Sequence, residues 1–348
     1  MANKVSAKES NTQFRTILSD LKAKKYKPFY LLMGEEPYYI DKVSRYISDH
    51  VLTPDEQGFN QTLLYGSDVN VQQIIDTARR YPMMAPKQVV IVREAQQVKE
   101  IDKLEVYLRQ APETTLLVIC YPGKTVDKRT AFYKAALAKG VVLESVLLRE
   151  EDVPDWIIRY TSEVQAEMTP EAAVLLAEYL GTDLNKIAME MDKLLMLLPT
   201  DRRKITPQVI EQNVGISKEH SPFALNKALS FRNLQKALQI AHFFGENVKS
   251  YPLVMIMATL FSHFSKLLKY YALQQSPTKP SRQEIASALG VHPFVLNEVE
   301  TAARNFSLRQ TVGIIWLLRA YDRRAKSNER GEADDGALLQ ELIIKILR

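Results

Sequence analysis

The chain has 348 residues, of which 46% are hydrophobic and 25% charged, and its formal net charge is +5. These values are typical of a globular protein of two or three domains, and the mild basicity permits a nearby polyanion without requiring one. The single cysteine excludes a disulfide framework and a cysteine-based zinc site, and the longest apolar stretch, 252–261, is too short to span a membrane. Since its start also lacks a signal-peptide pattern, we expect a cytoplasmic protein without membrane contact.

The first part of the sequence alternates short apolar runs with segments of helical spacing. The apolar runs lie at 29–34, 59–66, 87–94, 114–120 and 140–145, and the helical segments at 37–52, 71–80, 101–111 and 131–137. Strands that alternate with helices predict a parallel sheet that is covered by helices on both faces. We therefore expect an open α/β domain over residues 1–142.

After Glu144 the pattern is helical throughout. Thr169-Pro170 and Thr206-Pro207 each place an N-cap oxygen before a proline at the first helical position. We expect a small helical domain over 143–215 and a second helical domain over 216–348. The expected interruptions are a polar linker at 217–222 and breaks at 276–281 and 329–336.

Two loops raise the question of nucleotide binding. The tripeptide G-K-T at 123–125 matches the end of G-x-x-x-x-G-K-[ST], but Val118 stands at the first glycine, inside a strand-like run, so the loop is too short to wrap a phosphate. The loop at 34–42 has the strand–loop–helix position without G-K-[ST], and Glu35 and Glu36 would repel a triphosphate. An active NTPase that uses 123–125 remains an alternative.

Other catalytic patterns are missing from the sequence. The five histidines are scattered, with no ligand-spaced pair such as H-E-x-x-H, and there is no G-x-S-x-G. Arg93 follows the run VVIV, where a P-loop NTPase needs an acid to position magnesium. We therefore expect no catalytic residue, no cofactor and no metal site.

Residues 283–306 imitate a DNA-binding helix-turn-helix. Glu298 and Glu300 would stand on the exposed face of its second helix, where two carboxylates oppose contact with phosphates. The apolar positions of the same helix instead describe a packing face. A regulator that reads bases through Asn297 or Arg304 remains a second alternative.

The segment RRYPMMAPKQVV at 79–90 places Met83 and Met84 between two prolines just before a strand, with Tyr81 directly before the first proline. Prolines bracket a loop that neither helix nor sheet can absorb. Three large apolar side chains in such a loop either pack under the domain or face a partner, and methionine suits both. The residues alone leave these two interpretations open.

The C-terminal part offers two further features. Residues 251–273 are apolar nearly all round, which either packing between subunits or a buried core helix would explain. A basic cluster consists of Arg319, Arg323, Arg324 and Lys326. We interpret this cluster as a solvated face, with an approach to DNA as the alternative.

Six segments fall in the order and spacing of one known family. They are FYLLMGEEPYYIDK (29–42), RRYPMMAPKQVVIVREAQ (79–96), KTVDKRTAFYKAAL (124–137), LGTDLNKIAMEMDKL (180–194), ITPQVIEQNVG with SPFALNKALS (205–230) and LGVHPFVLNEVETAARNFS (289–307). Together they resemble the delta subunit of bacterial DNA polymerase III over nearly the whole chain. The resemblance implies an AAA+-like clamp-binding domain without a functional P-loop (1–142), a helical lid domain (143–215) and a helical collar domain that mediates oligomerisation (216–348).

The resemblance also implies a mechanical role in DNA replication. A delta subunit binds the ring-shaped sliding clamp (beta), inserts apolar side chains near the ring interface and holds that interface open. ATPase subunits (gamma/tau) and delta-prime complete a hetero-pentamer that loads the ring on primed DNA. Such a subunit has no catalytic activity or cofactor of its own, although it belongs to the DNA polymerase III holoenzyme, a DNA-directed DNA polymerase and nucleotidyltransferase.

Carried over by position, the clamp-binding wedge of the family falls on Met83 and Met84, with Tyr81 just upstream. Family members often have a leucine–phenylalanine pair here, so the geometry of insertion differs while its apolar chemistry does not. Burial of each side chain contributes roughly 1.5 to 3 kcal/mol, and a submicromolar complex needs more than about 8 kcal/mol. We therefore expect basic neighbours to form a rim around the wedge. These rim residues are Arg79, Arg80 and Lys87.

Overall fold

The computed structural model describes residues 5–199, 203–214, 220–276, 280–326 and 333–348. It divides the chain into two compact units, 1–148 and 149–348. The predicted division of the second unit near residue 215 stays a prediction, because 215–219 lie outside the described residues. Within those residues, no helix combines the length and apolar composition that crossing a membrane requires.

The unit that ends at Leu148 is built on a five-stranded parallel sheet. Its strands are β1 (Phe29–Gly34), β2 (Gln61–Tyr65), β3 (Gln88–Arg93), β4 (Thr115–Pro122) and β5 (Val141–Ser145), in the order β2-β3-β4-β1-β5. Its helices are α1 (Ala7–Lys22), α2 (Pro37–His50), α3 (Pro54–Asn60), α4 (Val71–Ala78), α5 (Glu105–Leu108) and α6 (Ala131–Lys139). Every residue of β1 is buried, as expected for a central strand of a sheet covered on both faces. The predicted α/β architecture is confirmed.

Three local features differ from the expectation. The segment 101–111 forms a 3-10 turn (Ile101–Leu104) and the four-residue α5 instead of one longer helix. The helices α1 and α3 were not predicted. Both begin with a capping-box sequence, S-x-x-E at 6–9 and T-x-x-E at 53–56, in which the glutamate side chain accepts from the N–H of the first residue, and at 6–9 the serine hydroxyl also accepts from the Glu9 N–H. The sequence therefore contained the signal for both helix starts.

The unit from Arg149 is helical, as predicted. Its helices are α7 (Val153–Glu163), α8 (Pro170–Leu180), α9 (Leu184–Leu197), α10 (Pro207–Val214), α11 (Pro222–Ser230), α12 (Leu234–Glu246), α13 (Leu253–Gln274), α14 (Arg282–Leu289), α15 (Leu296–Asn305), α16 (Leu308–Lys326) and α17 (Asp335–Leu347). Thr169 caps α8 by accepting a hydrogen bond from the Ala172 N–H, which confirms that predicted helix start. A short parallel pair, β6 (Glu167–Met168) and β7 (Lys204–Ile205), was not expected.

The predicted interruptions of this unit fall partly outside the described residues. Of the linker 217–222, the structure describes the last three residues, and Ser221 is already the N-cap of α11. Of the two breaks, 277–279 and 329–332 are not described.

One helix of this unit, α13, contains the nearly all-round apolar segment 251–273 only in part, from Leu253 to its end. Ile256, Leu260 and Phe264 are buried in a core shared with the helices around it. Val254 and Phe261, in contrast, are about half exposed, at 51% and 50%. Part of the apolar surface therefore forms the core, and part is left over, so both interpretations of 251–273 remain.

Candidate functional site

The segment with the proline-bracketed methionines forms the loop 79–87 between α4 and β3. Because all five strands of the sheet are parallel, a loop that leads into β3 lies at the edge where the strands begin. The junction that follows β1 lies at the opposite edge. The loop is thus separated from the position at which ligands of open α/β sheets usually bind, beyond the carboxyl ends of the strands.

The three apolar side chains of this loop are exposed. The exposed fraction is 84% for Tyr81, 63% for Met83 and 103% for Met84. Exposed apolar residues that stand singly are common on protein surfaces, whereas three large ones within four positions form a patch of the kind found at interaction sites. Of the two interpretations left open by the sequence, packing under the domain is wrong.

A residue far along the chain fixes the backbone of this loop. Asn60 is 3% exposed, its Nδ2 donates to the carbonyl oxygen of Met83 at 2.9 Å, and its Oδ1 accepts from the Met83 N–H at 2.6 Å. The same Nδ2 also donates to the carbonyl oxygen of Glu56 at 3.1 Å. The backbone of Met83 is therefore held by two hydrogen bonds while its side chain faces solvent. Sequence analysis missed Asn60, because a contact 23 residues away leaves no local pattern.

The backbone at Met84 is in the left-handed region, with φ of 53°. A residue with a Cβ atom adopts this conformation at a cost of roughly 1 to 2 kcal/mol. Met84 is wholly exposed in this conformation. Strained backbone of this kind is often found where a protein binds a ligand or partner.

The basic residues around the wedge differ from one another. Arg79 and Arg80 are exposed, and their N–H groups close the end of α4 by donating to the carbonyl oxygens of Ile75 (3.0 Å) and Thr77 (3.3 Å). Lys87 is half-buried, and its Nζ donates to the carbonyl oxygen of Glu113 at 2.5 Å. The two arginines are thus available as a rim, whereas the ammonium group of Lys87 already has an acceptor.

Sequence analysis also missed three exposed apolar residues on the α3–β2 segment, which carries Asn60. Phe59 is 77% exposed and directly precedes Asn60, the residue that binds the Met83 backbone. On the edge strand β2, Leu63 and Tyr65 are 45% and 42% exposed. Phe59 is therefore a large exposed apolar residue one position before the residue that holds the loop.

The junction after β1, where a P-loop protein binds phosphate, is closed. The N–H groups of Gly34 and Glu35 donate to the carbonyl oxygens of Lys124 (3.0 Å) and Ser145 (2.8 Å). The Glu36 side chain is 1% exposed and accepts from the Tyr38 N–H at 3.0 Å, at the start of α2. A helix N-terminus binds phosphate through these N–H groups and its positive dipole, and here a carboxylate already occupies it.

The tripeptide G-K-T at 123–125 forms no phosphate cradle. The Gly123 N–H donates to the Gly34 carbonyl oxygen at 2.7 Å, so the two loops bind each other. Val118 lies inside β4 and is fully buried, as predicted, and the next helix starts only at Ala131. In a P-loop the helix follows G-K-[ST] directly and aims its N-terminus at the phosphates.

Cys120 is a buried residue of β4. Burial raises the pKa of its thiol to about 12, so the sulfur stays protonated at neutral pH. Nothing in its surroundings therefore prepares it as a nucleophile.

The segment that imitates a helix-turn-helix forms α14, a turn at Gly290 and α15. Arg282 of α14 donates to the side chains of Asn297 (2.9 Å) and Glu300 (3.2 Å), so two polar side chains of α15 are already bound within the protein. The apolar face of α15 is buried, including Val299. This arrangement fits the predicted packing face.

Much of the basic cluster on α16 is neutralised within the protein. Arg324 forms an ion pair with Glu341 at 2.8 Å, and Lys326 forms one with Asp322 at 2.7 Å. The Arg319 guanidinium lies 5.5 Å from the centre of the Trp316 ring. These contacts fit the interpretation of the cluster as a solvated face.

Two family models match this chain. "DNA polymerase III, delta subunit" matches residues 30–146, and "DNA polymerase III delta subunit, C-terminal domain" matches residues 219–346. The chain belongs to the DNA polymerase III delta subunit family. The predicted family is therefore confirmed, and with it a place in DNA replication.

Two relatives agree with this assignment. The DNA polymerase III subunit delta of Bacillus subtilis (strain 168) is 26% identical over 344 residues, which cover 95% of this chain and 96% of that protein. The solved structure of the Bacillus subtilis DNA clamp loader delta protein (YqeN) has a TM-score of 0.59 at 25% identity and covers 96% of this chain and 99% of that one. The predicted fold class, a parallel α/β part followed by helices, is confirmed.

Proposed function

We propose that this chain is the clamp-loader subunit that binds the sliding clamp (beta) and holds its ring open, while ATPase subunits (gamma/tau) and delta-prime complete a hetero-pentamer that loads the ring on primed DNA. The observation that carries this proposal is the loop 79–87. Its wedge of Tyr81, Met83 and Met84 is exposed, and the buried Asn60 holds the loop backbone. We place this activity in the cytoplasm.

A loop whose backbone is fixed by Asn60 and whose apolar side chains are exposed is suited to opening a ring. The loop loses little conformational entropy on binding, because its backbone is already fixed, so more of the burial energy remains as affinity. Burial of Met83 and Met84 contributes roughly 3 to 6 kcal/mol, and a submicromolar complex needs more than about 8 kcal/mol. Tyr81, Phe59 and the two exposed arginines are the neighbours that supply the remainder.

We further propose that the chain itself hydrolyses no ATP. The support is the closed junction after β1, where Glu36 occupies the helix N-terminus and the N–H groups of Gly34 and Glu35 already have carbonyl acceptors. A scaffold of this kind depends on partner subunits for ATP hydrolysis. ATP turnover by the purified chain, lost on a substitution of Lys124, would contradict this part of the proposal.

The clamp-binding role is tested by Met83→Ala combined with Met84→Ala. We expect the affinity for the organism's own clamp, measured on an immobilised clamp, to fall at least about 100-fold, because 3 to 6 kcal/mol of burial is lost. Assembly with the ATPase subunits, measured by gel filtration, should be unchanged.

A matched control is available on α9. Met189 and Met196 are also exposed, at 53% and 85%, and Met189→Ala with Met196→Ala removes the same atoms from another surface. This control should bind the clamp like the wild type. Equal clamp affinities of the wedge variant and the wild type would refute the site.

A further inference from the structure

The helical unit from Arg149 contains a cavity of about 460 Å³ that the proposed function does not use. It lies where α8, α11, α13 and α15 meet, and Val174, Ala177, Val291 and Val299 provide part of its apolar wall. Small-molecule sites typically enclose about 300 to 1,000 Å³ and combine apolar walls with a few convergent polar groups. The size of this cavity falls in that range.

Two carboxylates line the cavity without a bonding partner. Within the described part of the chain, neither Glu178 of α8 nor Glu298 of α15 has a hydrogen bond or an ion pair. Burial raises the pKa of Glu178 to about 8, and the charge of Glu298 adds to this effect. Burial also raises the pKa of Glu298, to about 7. The protein thus holds two carboxylates in a place that disfavours their charge.

The nearby basic residues leave these carboxylates unpaired. Lys266 lines the cavity, but its Nζ lies 3.7 Å from Glu150 at the rim, and Lys227 is exposed. Burial lowers the pKa of His263 to about 4, so this ring is neutral at pH 7, with its Nε2 3.1 Å from the Ser230 hydroxyl.

A third acceptor, independent of the carboxylates, lies in the same wall. Asn226 of α11 is 6% exposed, lines the cavity, and its Oδ1 is buried without a hydrogen-bond partner. A buried amide oxygen without a donor costs roughly 1 to 3 kcal/mol in a protein. The Asn226 Oδ1 and the carboxylates of Glu178 and Glu298 together form a set of acceptors that lack N–H donors.

We propose that this cavity binds an organic monocation, an ammonium or guanidinium group on a short apolar stem. The cationic head supplies the missing N–H donors to Glu178, Glu298 and Asn226, and the stem packs on the valine-rich wall. At pH 8.5, where Glu178 and Glu298 have lost their protons, these two carboxylates and that of Glu150 carry one more charge than the two ammonium groups of Lys227 and Lys266, and a monocation balances this excess. A free amine and a lysine or arginine side chain of a partner protein share this chemistry.

Calorimetric titration of the full chain with n-butylguanidinium chloride at pH 8.5 tests the site. We expect saturable 1:1 binding that weakens at least about tenfold in Glu178→Gln and in Glu298→Gln, because each loses one of the two charges that attract the head group. The matched control is Glu171→Gln, which changes an exposed glutamate of α8 outside the cavity. It should bind like the wild type, and n-butanol, with the same stem but no charge, should give no saturable heat.

A second titration separates the two sources of the cation. If the capped peptide acetyl-Gly-Arg-Gly-amide competes with n-butylguanidinium, the site takes the side chain of a protein partner. If only the free cation binds, the site takes a small amine, and both results support the proposal. It is overturned if the wild type binds neither probe, or if both glutamine variants bind like the wild type.

A measurement on the wild type tests the proposal even if the variants fail to fold. Affinity for n-butylguanidinium should rise by at least about tenfold from pH 6 to pH 8.5, as the carboxyl groups of Glu178 and Glu298 lose their protons. The other charged or titratable groups around them are Glu150, Lys227, Lys266, His263 and His292. Burial lowers the pKa of His263 to about 4, so its ring stays neutral from pH 6 to pH 8.5. An affinity that does not change with pH would contradict the proposed ligand.

Discussion

The junction at 34–37 and the loop at 79–87 lie at opposite edges of one parallel sheet, and both have backbone groups that a side chain satisfies. At the junction the side chain comes from the segment itself, since Glu36 is buried against the Tyr38 N–H. At the loop it comes from Asn60, on another element, so the side chains of the loop remain free to face solvent. A side chain that is bonded to the backbone of its own segment is not available to bind a ligand.

The junction at 34–37 and the loop at 79–87 are therefore two different kinds of surface on one domain. The closed junction is a structural contact between two loops, in which Gly34 bonds with both Lys124 and Gly123. The open loop combines a fixed backbone with exposed apolar side chains, and this combination suits a protein partner because little order must be gained on binding. The apolar loop, not the phosphate position, is thus where we expect the function of this domain.

The largest expected change in stability comes from a substitution in the closed junction. A Cβ atom on Gly34 would lie 2.0 Å from the Ser145 carbonyl oxygen, and φ of Gly34 is 125°. We expect Gly34→Ala to lower the free energy of unfolding, measured in urea, by at least about 3 kcal/mol. The control Gly58→Ala, in α3 with open space around its Cβ, should raise it by roughly 0.5 to 1 kcal/mol. Equal stability of both variants would mean that the junction is not closed.

The support of the open loop is tested by Asn60→Ala. The change removes both hydrogen bonds to Met83 and leaves its backbone groups without these partners, so stability should fall by about 1 to 3 kcal/mol. Clamp affinity should fall as well, because the loop must be ordered on binding. Asn60→Asp keeps the acceptor for the Met83 N–H and should give an intermediate loss. A wild-type clamp affinity of Asn60→Ala would show that the anchor is irrelevant to binding.

Glu178 differs from Glu36 because its carboxylate has no bonding partner within the described residues, whereas Glu36 accepts a hydrogen bond. The folded-state pKa of Glu178 is about 8, against an ordinary value of 4.5, so between these pH values the unfolded chain loses a proton that the folded chain retains. Glu178 therefore makes folding less favourable as pH rises from 4.5 to 8. Glu178→Gln should gain at least about 1.4 kcal/mol relative to the wild type between pH 5 and pH 8 in urea unfolding. A constant difference would contradict the raised pKa.

The smallest expected change in stability concerns the strained residue of the loop. Met84→Gly should raise the free energy of unfolding by up to about 1 kcal/mol, because glycine adopts φ of 53° without strain, while clamp affinity falls with the lost side chain. The control Met83→Gly changes a residue without positive φ, so both stability and affinity should fall. A loss of stability in Met84→Gly would mean that this backbone carries no strain.

Local patterns in the sequence were sufficient for most of the elements. The alternation of apolar runs and helical segments predicted the five parallel strands, and the threonine before Pro170 predicted the start of α8. The same kind of signal was present but missed at Ser6 and Thr53, where capping boxes begin α1 and α3. The segment 101–111 was predicted too long, since helical spacing alone does not separate a 3-10 turn from an α-helix.

The residues of the candidate site also differ in whether a local sequence pattern indicated them. Tyr81, Met83 and Met84 were singled out from the sequence, because two prolines bracket the methionines in a loop before a strand and Tyr81 directly precedes the first proline. Their exposure was undecided, since an apolar side chain in a loop gives no sign of what lies beneath it. Asn60 was not found, because its importance depends on a contact with Met83, 23 positions away.

By itself, the sequence determined the class of fold and the loop in which the exposed methionines lie, because both depend on periodicity and on prolines that act on their immediate neighbours. Only the tertiary structure decided that this loop is fixed and open, while the phosphate position is closed by Glu36 and by hydrogen bonds between two distant loops. The unpaired Glu178 and Glu298 likewise became visible only there. Exposure and bonding partners are set by residues that are remote in sequence, which a local pattern cannot specify.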